Sequence, residues 1–181
     1  MTTAATLASV INSVTGKLNT SIVNAGGVLQ VVQAVKTDTQ SFSTTYADVT
    51  GLSVTLTPAA ASSKFLVSVV LNGYPSHYIG YGRILRNGTS IGEAAAAGSR
   101  NTSPLPFSSP PSSDGPIQTA AAMFLDSPNT TSSLTYKVQG IGRADGEAGG
   151  LLYLGRTVQD RNTATYDPRA ICSITVMEIA G

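Results

Sequence analysis

Two side chains in this sequence could serve as nucleophile or base, and each type occurs only once. His77, within 74–78 (Tyr-Pro-Ser-His-Tyr), is the only histidine, and Cys172 is the only cysteine. A Ser-His-Asp or Cys-His arrangement would have to use His77, and no Gly-x-Ser-x-Gly turn precedes it. Cys172 stands in an alternating apolar run, which is typical of a small buried side chain. We therefore expect neither residue to be catalytic.

Metal sites and paired carboxylates are also absent as sequence patterns. One histidine and one cysteine cannot provide a zinc ligand set or a disulfide within the chain. The ten carboxylates are scattered, and no strand holds the close pair that glycoside hydrolysis would need. Calcium is suggested only weakly, near Asp145 and Glu147 or between Asp160 and Asp167, without EF-hand spacing. We predict a protein that is not an enzyme and has no cofactor.

Aromatic, histidine and arginine side chains cluster in the short segment 74–83. The cluster comprises Tyr74, His77, Tyr78, Tyr81 and Arg83. This mixture suits stacking on sugars as well as contacts between proteins. The alternative is that the tyrosines only line the edge of a sheet. The segment is our candidate for a receptor or subunit contact.

The elements that must position these side chains are β-strands. Leu52, Val54 and Leu56 alternate with polar residues and should share one face. About nine such short strands occur in residues 27–181, with turns between them and no helix. This predicts an all-β fold, namely a jelly-roll-like antiparallel sandwich of about 8–9 strands.

Particular strands carry finer predictions. The nearly continuous apolar run 65–71 predicts a central strand covered on both faces. Asn87-Gly88, between two extended runs, predicts a hairpin because both residues accept positive φ. The apolar first and last strands should lie side by side in the middle of a sheet. In the last strand, the more apolar face is predicted to hold Cys172, Ile174, Val176 and Glu178.

Two loops interrupt this pattern. Residues 97–117 contain five prolines, which exclude a helix or a central strand there. Leu105 and Phe107 are apolar anchors in this loop, and they could dock it on the body of the protein or on a neighbour. The glycine-rich segment 140–150 is typical of a hairpin tip.

Residues 1–26 have a different period, which predicts an N-terminal arm. Apolar side chains at steps of three and four would share one face of a helix, capped by Thr6 and ended by Gly26-Gly27. They are Leu7, Val10, Ile11, Val14, Leu18 and Ile22. A narrow stripe on a weak helix suggests attachment to a partner or association with other copies. The alternative is an extended arm.

Charge is sparse, at 12% of residues and a net charge of +1. No attraction to nucleic acid or to an anionic membrane is expected from such a balance. Arg156, Arg161 and Arg169 suit salt bridges between subunits or solvated loop charges.

We find no secretory signal and no apolar run long enough for membrane insertion. This fits a protein assembled in the cytoplasm of a cell and released by lysis.

An ordered series of segments resembles modules of the structural proteins of marine tailed phages, of the cyanophage and pelagiphage type. The segments are 31–39, 48–58, 63–67, 83–92, 124–128, 135–139 and 174–181. In that family such modules resemble trimeric jelly-roll knobs, often at fibre tips, and similar folds serve as capsid cement. The resemblance covers about residues 27–181 and implies no catalytic residue. The sequence departs from the fibre pattern in its short N-terminal part and in the loop 97–117.

The resemblance implies a homotrimeric protein on the outer surface of a virion. It would be a capsid decoration or cement protein, or the knob of a short fibre or spike, held to other virion proteins by residues 1–26. The alternative is a tail-fibre module that binds a receptor or glycan on the host surface.

Overall fold

The computed structural model describes residues 25–109, 115–142, 150–163 and 165–181, and every regular element in them is a β-strand. The eleven strands are β1 (Val28–Lys36), β2 (Gln40–Phe42), β3 (Ala47–Leu56), β4 (Lys64–Pro75), β5 (Tyr78–Arg86), β6 (Thr89–Ile91), β7 (Leu105–Ser109), β8 (Gln118–Asp126), β9 (Leu134–Ile141), β10 (Leu152–Leu154) and β11 (Cys172–Ile179). The predicted arm stripe from Leu7 to Ile22 lies outside the described residues, as do residues 143–149 of the glycine-rich loop.

The strands form two antiparallel sheets packed into a sandwich. One sheet has the order β1-β11-β4-β10-β2, with β8 also paired to β4, and the other has β3-β9-β5-β6, with β7 also paired to β5. The pairs are nested along the chain, because β1 pairs with β11, β3 with β9, β4 with β8 and β5 with β7. Such nesting across two sheets is the jelly-roll arrangement. The predicted fold class is confirmed, with eleven strands in the described residues in place of about nine.

Side-chain alternation determines what fills the space between the sheets. Leu52, Val54 and Leu56 of β3 are all buried, as their spacing predicted. The inward residues of β11 are also the predicted ones, namely Cys172, Ile174, Val176 and Glu178. The period-two pattern was therefore sufficient to assign the core face of both strands.

The central strand β4 is buried on one face only. Phe65 and Val69 are fully buried between the sheets, whereas Leu66 and Val70 on the other face are half-buried. The prediction that both faces of this strand are covered is therefore wrong for the described residues of the isolated chain.

The first and last strands are neighbours, but only β11 lies in the middle of a sheet. β11 is paired on one side with β1 and on the other with β4, so β1 takes the edge. Lys36 at the end of β1 is buried, and its Nζ donates to Asp38 Oδ1 at 2.9 Å and to Thr50 O at 3.2 Å. This lysine ties the edge of the first sheet to β3 of the second sheet.

The outer neighbours of β5 are the short strands β6 and β7. Asn87 and Gly88 both have positive φ, 48° and 88°, and join β5 to β6, so the predicted hairpin is confirmed. β7 lies within the proline-rich segment and pairs with residues 78–82 of β5. Pro106 is tolerated because β7 is an edge strand, where a missing N–H need not break a ladder. The segment is thus partly a strand, although no central one.

Candidate functional site

The two single-copy candidates for catalysis occupy different positions in the fold. Cys172 is 1% exposed at the start of β11, and burial raises its pKa, which disfavours the reactive thiolate. His77 lies in the turn between β4 and β5. Within the described ranges, no three His, Cys, Asp or Glu side chains converge as metal ligands would.

The predicted contact cluster of residues 74–83 is divided among three places. Tyr74 is 2% exposed and packs inside the protein, against Gly115. His77 and Tyr78 form the turn before β5, with their ring centroids 6.5 Å apart and Tyr78 at φ 41°. Tyr81 and Arg83 alone share a surface, the outer face of the five-stranded sheet.

The two anchors of the proline-rich segment, Leu105 and Phe107, are core residues. Both are almost fully buried, and they belong to the main hydrophobic cluster between the sheets. Their side chains dock the segment on the body of the protein, which was one of the two predicted outcomes. The prediction that Leu105, Phe107 and Tyr74 contact a receptor or another subunit is therefore wrong, because a buried side chain offers a partner no surface.

Around Tyr81 and Arg83, β3, β9 and the residue before β3 add three residues that the sequence did not indicate. We call the set Tyr46, Asp48, Tyr81, Arg83 and Gln139 the Tyr–Arg face. Arg83 Cζ lies 3.9 Å from the centroid of the Tyr46 ring, and Arg83 Nε and Nη2 donate to Gln139 Oε1 at 2.8 and 2.7 Å. Gln139 Nε2 in turn donates to Asp48 Oδ1 at 2.6 Å.

The charged groups of the Tyr–Arg face are connected by hydrogen bonds and an ion pair. Lys137 Nζ lies 2.8 Å from Asp48 Oδ2, and the hydrogen bonds from Lys137 and Gln139 hold the pKa of Asp48 below its ordinary value. Burial raises the pKa of Tyr46, while the Arg83 guanidinium beside it acts in the opposite direction. At neutral pH the face therefore presents a protonated phenol, an ionised carboxylate and a guanidinium.

The opposite side of the sandwich is largely apolar. Across β1, β11, β4 and β8 the register aligns three rows of outward side chains. The rows are Val31, Met177, Leu66 and Leu125; Gln33, Thr175, Ser68 and Met123; and Val35, Ser173, Val70 and Ala121. We call these three rows the apolar face. None of its side chains is charged, and Met123 is 69% exposed.

A cleft of about 560 Å³ adjoins one end of the apolar face, where the N-terminal segment joins the sandwich. It is lined by Ala25, Gly26, Ser62, Lys64, Leu125, Asn129, Ile179, Ala180 and Gly181. Gly26 N donates to Ala180 O at 2.7 Å and Ala180 N to Gly27 O at 2.8 Å. Ala25 and Gly26, the first described residues, therefore lie at the rim of the apolar face.

The arginines between β10 and β11 are paired within their own segment. Asp160 is 3.3 Å from Arg156 Nη1 and 2.7 Å from Arg169 Nη2, and Arg161 Nε is 2.6 Å from Asp167 Oδ2. Arg161 and Arg169 remain 42% and 55% exposed, so they are partly solvated loop charges, while salt bridges between subunits stay a prediction. The pairs act inside the chain and fix a long irregular loop.

Comparison with known proteins gives no indication of function, so functional inference depends on the two outer faces. No protein-family model matches the chain, and no curated protein is similar to it in sequence. In the described parts, no helix has the length and apolarity that crossing a bilayer requires.

Proposed function

We propose that the chain is a structural protein of a phage virion that assembles as a homotrimer through its apolar face. The observation that carries the proposal is this face, which exposes Val31, Met123 and Leu125 on a sheet without a charged side chain among the three rows. Exposed apolar patches of such extent mark interaction sites on soluble proteins. Two parts of the proposal, the location on a virion and the assembly as a trimer, rest on the resemblance of residues 27–181 to phage knob modules.

The dimensions of the apolar face suit contact between copies of the chain. Four strands at about 4.8 Å spacing and three rows at about 6.8 Å along each strand give a surface of roughly 19 by 20 Å. That is about 400 Å² in flat projection, before side-chain relief is counted, and a stable interface takes about 800 Å² of accessible surface per partner. Three copies that turn this face towards a common axis would cover the exposed side of β4.

The proposed role is capsid decoration or cement, or the knob of a short fibre or spike, on the outer surface of the particle. Residues 1–26 would attach the knob to other virion proteins, since the end of this arm, at Ala25 and Gly26, lines the cleft beside the apolar face. Assembly of the subunits would take place in the host cytoplasm. In the phage that encodes the protein, removal of residues 1–24 should leave a folded knob that is missing from purified particles. Normal occupancy by the truncated protein would contradict the attachment role.

Light scattering coupled to size-exclusion chromatography tests the assembly. The wild-type chain is expected at three times the subunit mass at micromolar concentration, and Met123→Lys at the subunit mass, because a buried unpaired ammonium opposes association. Ser53→Lys is the matched control, since it adds the same charge at an exposed position of β3 on the other sheet. A wild-type monomer, or a Met123→Lys trimer, would overturn the role assigned to the apolar face.

A further inference from the structure

We propose that the Tyr–Arg face is a binding site for a neutral saccharide, such as the hexopyranose rings of a cell-surface glycan. The proposal does not require the apolar face to act as a trimer interface. It rests on exposed hydrogen-bonding groups that do not bond to other described residues, on the rigidity of the site, and on its charge balance.

The Tyr–Arg face has hydrogen-bonding capacity that the described part of the chain does not use. A guanidinium carries five N–H donors, and Arg83 uses two of them on Gln139. Among the described residues, the remaining donors of Arg83 and the phenol hydroxyls of Tyr46 and Tyr81 have no hydrogen-bond partner. All three side chains are partly exposed. A ligand rich in hydroxyl groups, each both donor and acceptor, matches this set.

The same groups are held in place before any ligand arrives. Asp48, Gln139 and Arg83 follow one another across β3, β9 and β5, since Asp48 is opposite Gln139 and Gln139 opposite Arg83. The hydrogen bonds along this row fix the side-chain rotamers, and the Tyr46 ring supports the guanidinium from one side. Such preorganisation lowers the entropy lost on binding. Polar donors beside aromatic rings on rigid strands suit a pyranose, whose C–H groups pack on a ring while its hydroxyls bond at the edge.

Charge balance favours a neutral ligand over an acidic one. Lys137 is neutralised by its ion pair with Asp48, and Arg83 is linked to the same carboxylate through Gln139. Glu93 is close enough to raise the pKa of Tyr46, so a further negative charge borders the site. A carboxylated or sulfated sugar would meet these two carboxylates, whereas an uncharged sugar would not.

The location of the Tyr–Arg face keeps it accessible in the proposed assembly. It belongs to the outer face of the five-stranded sheet, and the apolar face belongs to the outer face of the other sheet. Copies that associate through the apolar face would therefore direct the Tyr–Arg face away from the contact. Loss of sugar binding and loss of assembly are consequently separable in experiment.

A glycan array followed by titration calorimetry tests the site. The array should carry galactosides, glucosides, mannosides and N-acetylglucosamine oligosaccharides, together with sialylated and sulfated forms. We expect binding to a subset of the neutral sugars, and an affinity about tenfold lower for Tyr81→Ala, as the loss of one stacked ring implies. Arg83→Met, which keeps the aliphatic stem but removes the donors, should weaken binding at least as much.

Matched controls separate binding from folding. Tyr166→Ala removes another exposed tyrosine, which stacks with Arg161 at 5.2 Å in the loop before β11, and should leave the affinity unchanged. Tyr81→Phe keeps the ring and should lose less affinity than Tyr81→Ala. The proposal is overturned if no sugar on the array binds, if acidic sugars bind selectively, or if folded Tyr81→Ala binds as tightly as the wild type.

Discussion

The phenol of Tyr136 illustrates how a buried polar group is accommodated in this sandwich. Tyr136 is fully buried on β9, and its hydroxyl donates to Asp126 Oδ2 at 2.8 Å. Arg86 Nη1 donates to both oxygens of the same carboxylate, at 2.5 and 2.7 Å. Burial and the adjacent Asp126 raise the pKa of Tyr136 far above its ordinary value. Since Asp126 ends β8 in one sheet and the other two residues lie in the second sheet, the triad joins the two layers.

Substitutions in this triad should differ in cost according to what they leave unpaired. Tyr136→Phe should lower the free energy of unfolding by about 1 kcal/mol, because Asp126 keeps its bonds to Arg86. Asp126→Ala should cost about 3 kcal/mol, since it leaves both a phenol and a guanidinium without an acceptor. Urea denaturation of the two variants gives these values. Equal losses would mean that Asp126 is not the shared acceptor.

Asp167 should make the loop between β10 and β11 sensitive to acid. Its carboxylate accepts hydrogen bonds from Arg161 Nε, Arg161 N and Thr157 Oγ1, and the bonds from Arg161 and Thr157 lower its pKa to about 2. The unfolded value is about 3.9, so the stabilisation is complete above that pH and is lost as the pH falls towards 2. Thermal melting between pH 5 and pH 2 should show this loss. Asp167→Asn should be less stable at pH 5 and show a weaker pH dependence across that window.

At the scale of elements, local sequence patterns predicted those features that depend only on residues close together in the chain. The Asn87-Gly88 turn and the inward faces of β3 and β11 follow from local conformational preference and period two. β7 was missed because a proline is compatible with an edge strand but not with a central one, and sequence alone does not reveal where the edge lies. The Tyr–Arg face was found only in part, because Gln139 is 56 residues from Arg83 along the chain. The burial of Tyr74 likewise depends on Gly115, a contact that no local pattern indicates.

Gly88 and Gly73 are needed for different reasons, the first for its positive φ and the second for a close approach between strands. Gly88 has φ 88° with no heavy atom within 4 Å of an added Cβ, so Gly88→Ala should cost about 1 kcal/mol through backbone strain alone. At Gly73, an added Cβ would lie 2.2 Å from Tyr153 O, in the paired strand β10. Gly73→Ala should therefore cost about 3 kcal/mol, because a hydrogen-bonded backbone has to shift. Denaturation midpoints would decide, and a smaller loss for Gly73→Ala would contradict this account of the β4–β10 contact.

At the scale of the whole molecule, the two outer faces of the sandwich have opposite characters. One is an uncharged surface in which valine, leucine and methionine predominate over a few serine, threonine and glutamine side chains. The other carries tyrosines, Arg83 and Asp48 on hydrogen-bonded rows. A chain with 12% charged residues has little means of keeping a broad apolar sheet soluble by repulsion. The proposed burial of that sheet between subunits would account for Leu66 and Val70, the apolar residues on the side of β4 that is only half-buried within the chain.

If the apolar face is a subunit contact, the thermal stability of the protein must depend on its concentration. For a trimer that unfolds to separate chains, a hundredfold rise in protein concentration should raise Tm by about 5 °C through mass action. Met123→Lys should melt at one temperature at all concentrations, because a chain that unfolds alone gains nothing from mass action. Ser53→Lys should keep the wild-type dependence. Differential scanning calorimetry at 2 and 200 μM, for example, measures the shift. A concentration dependence that persists in Met123→Lys would place the contact elsewhere in the chain and leave the apolar face without the proposed role.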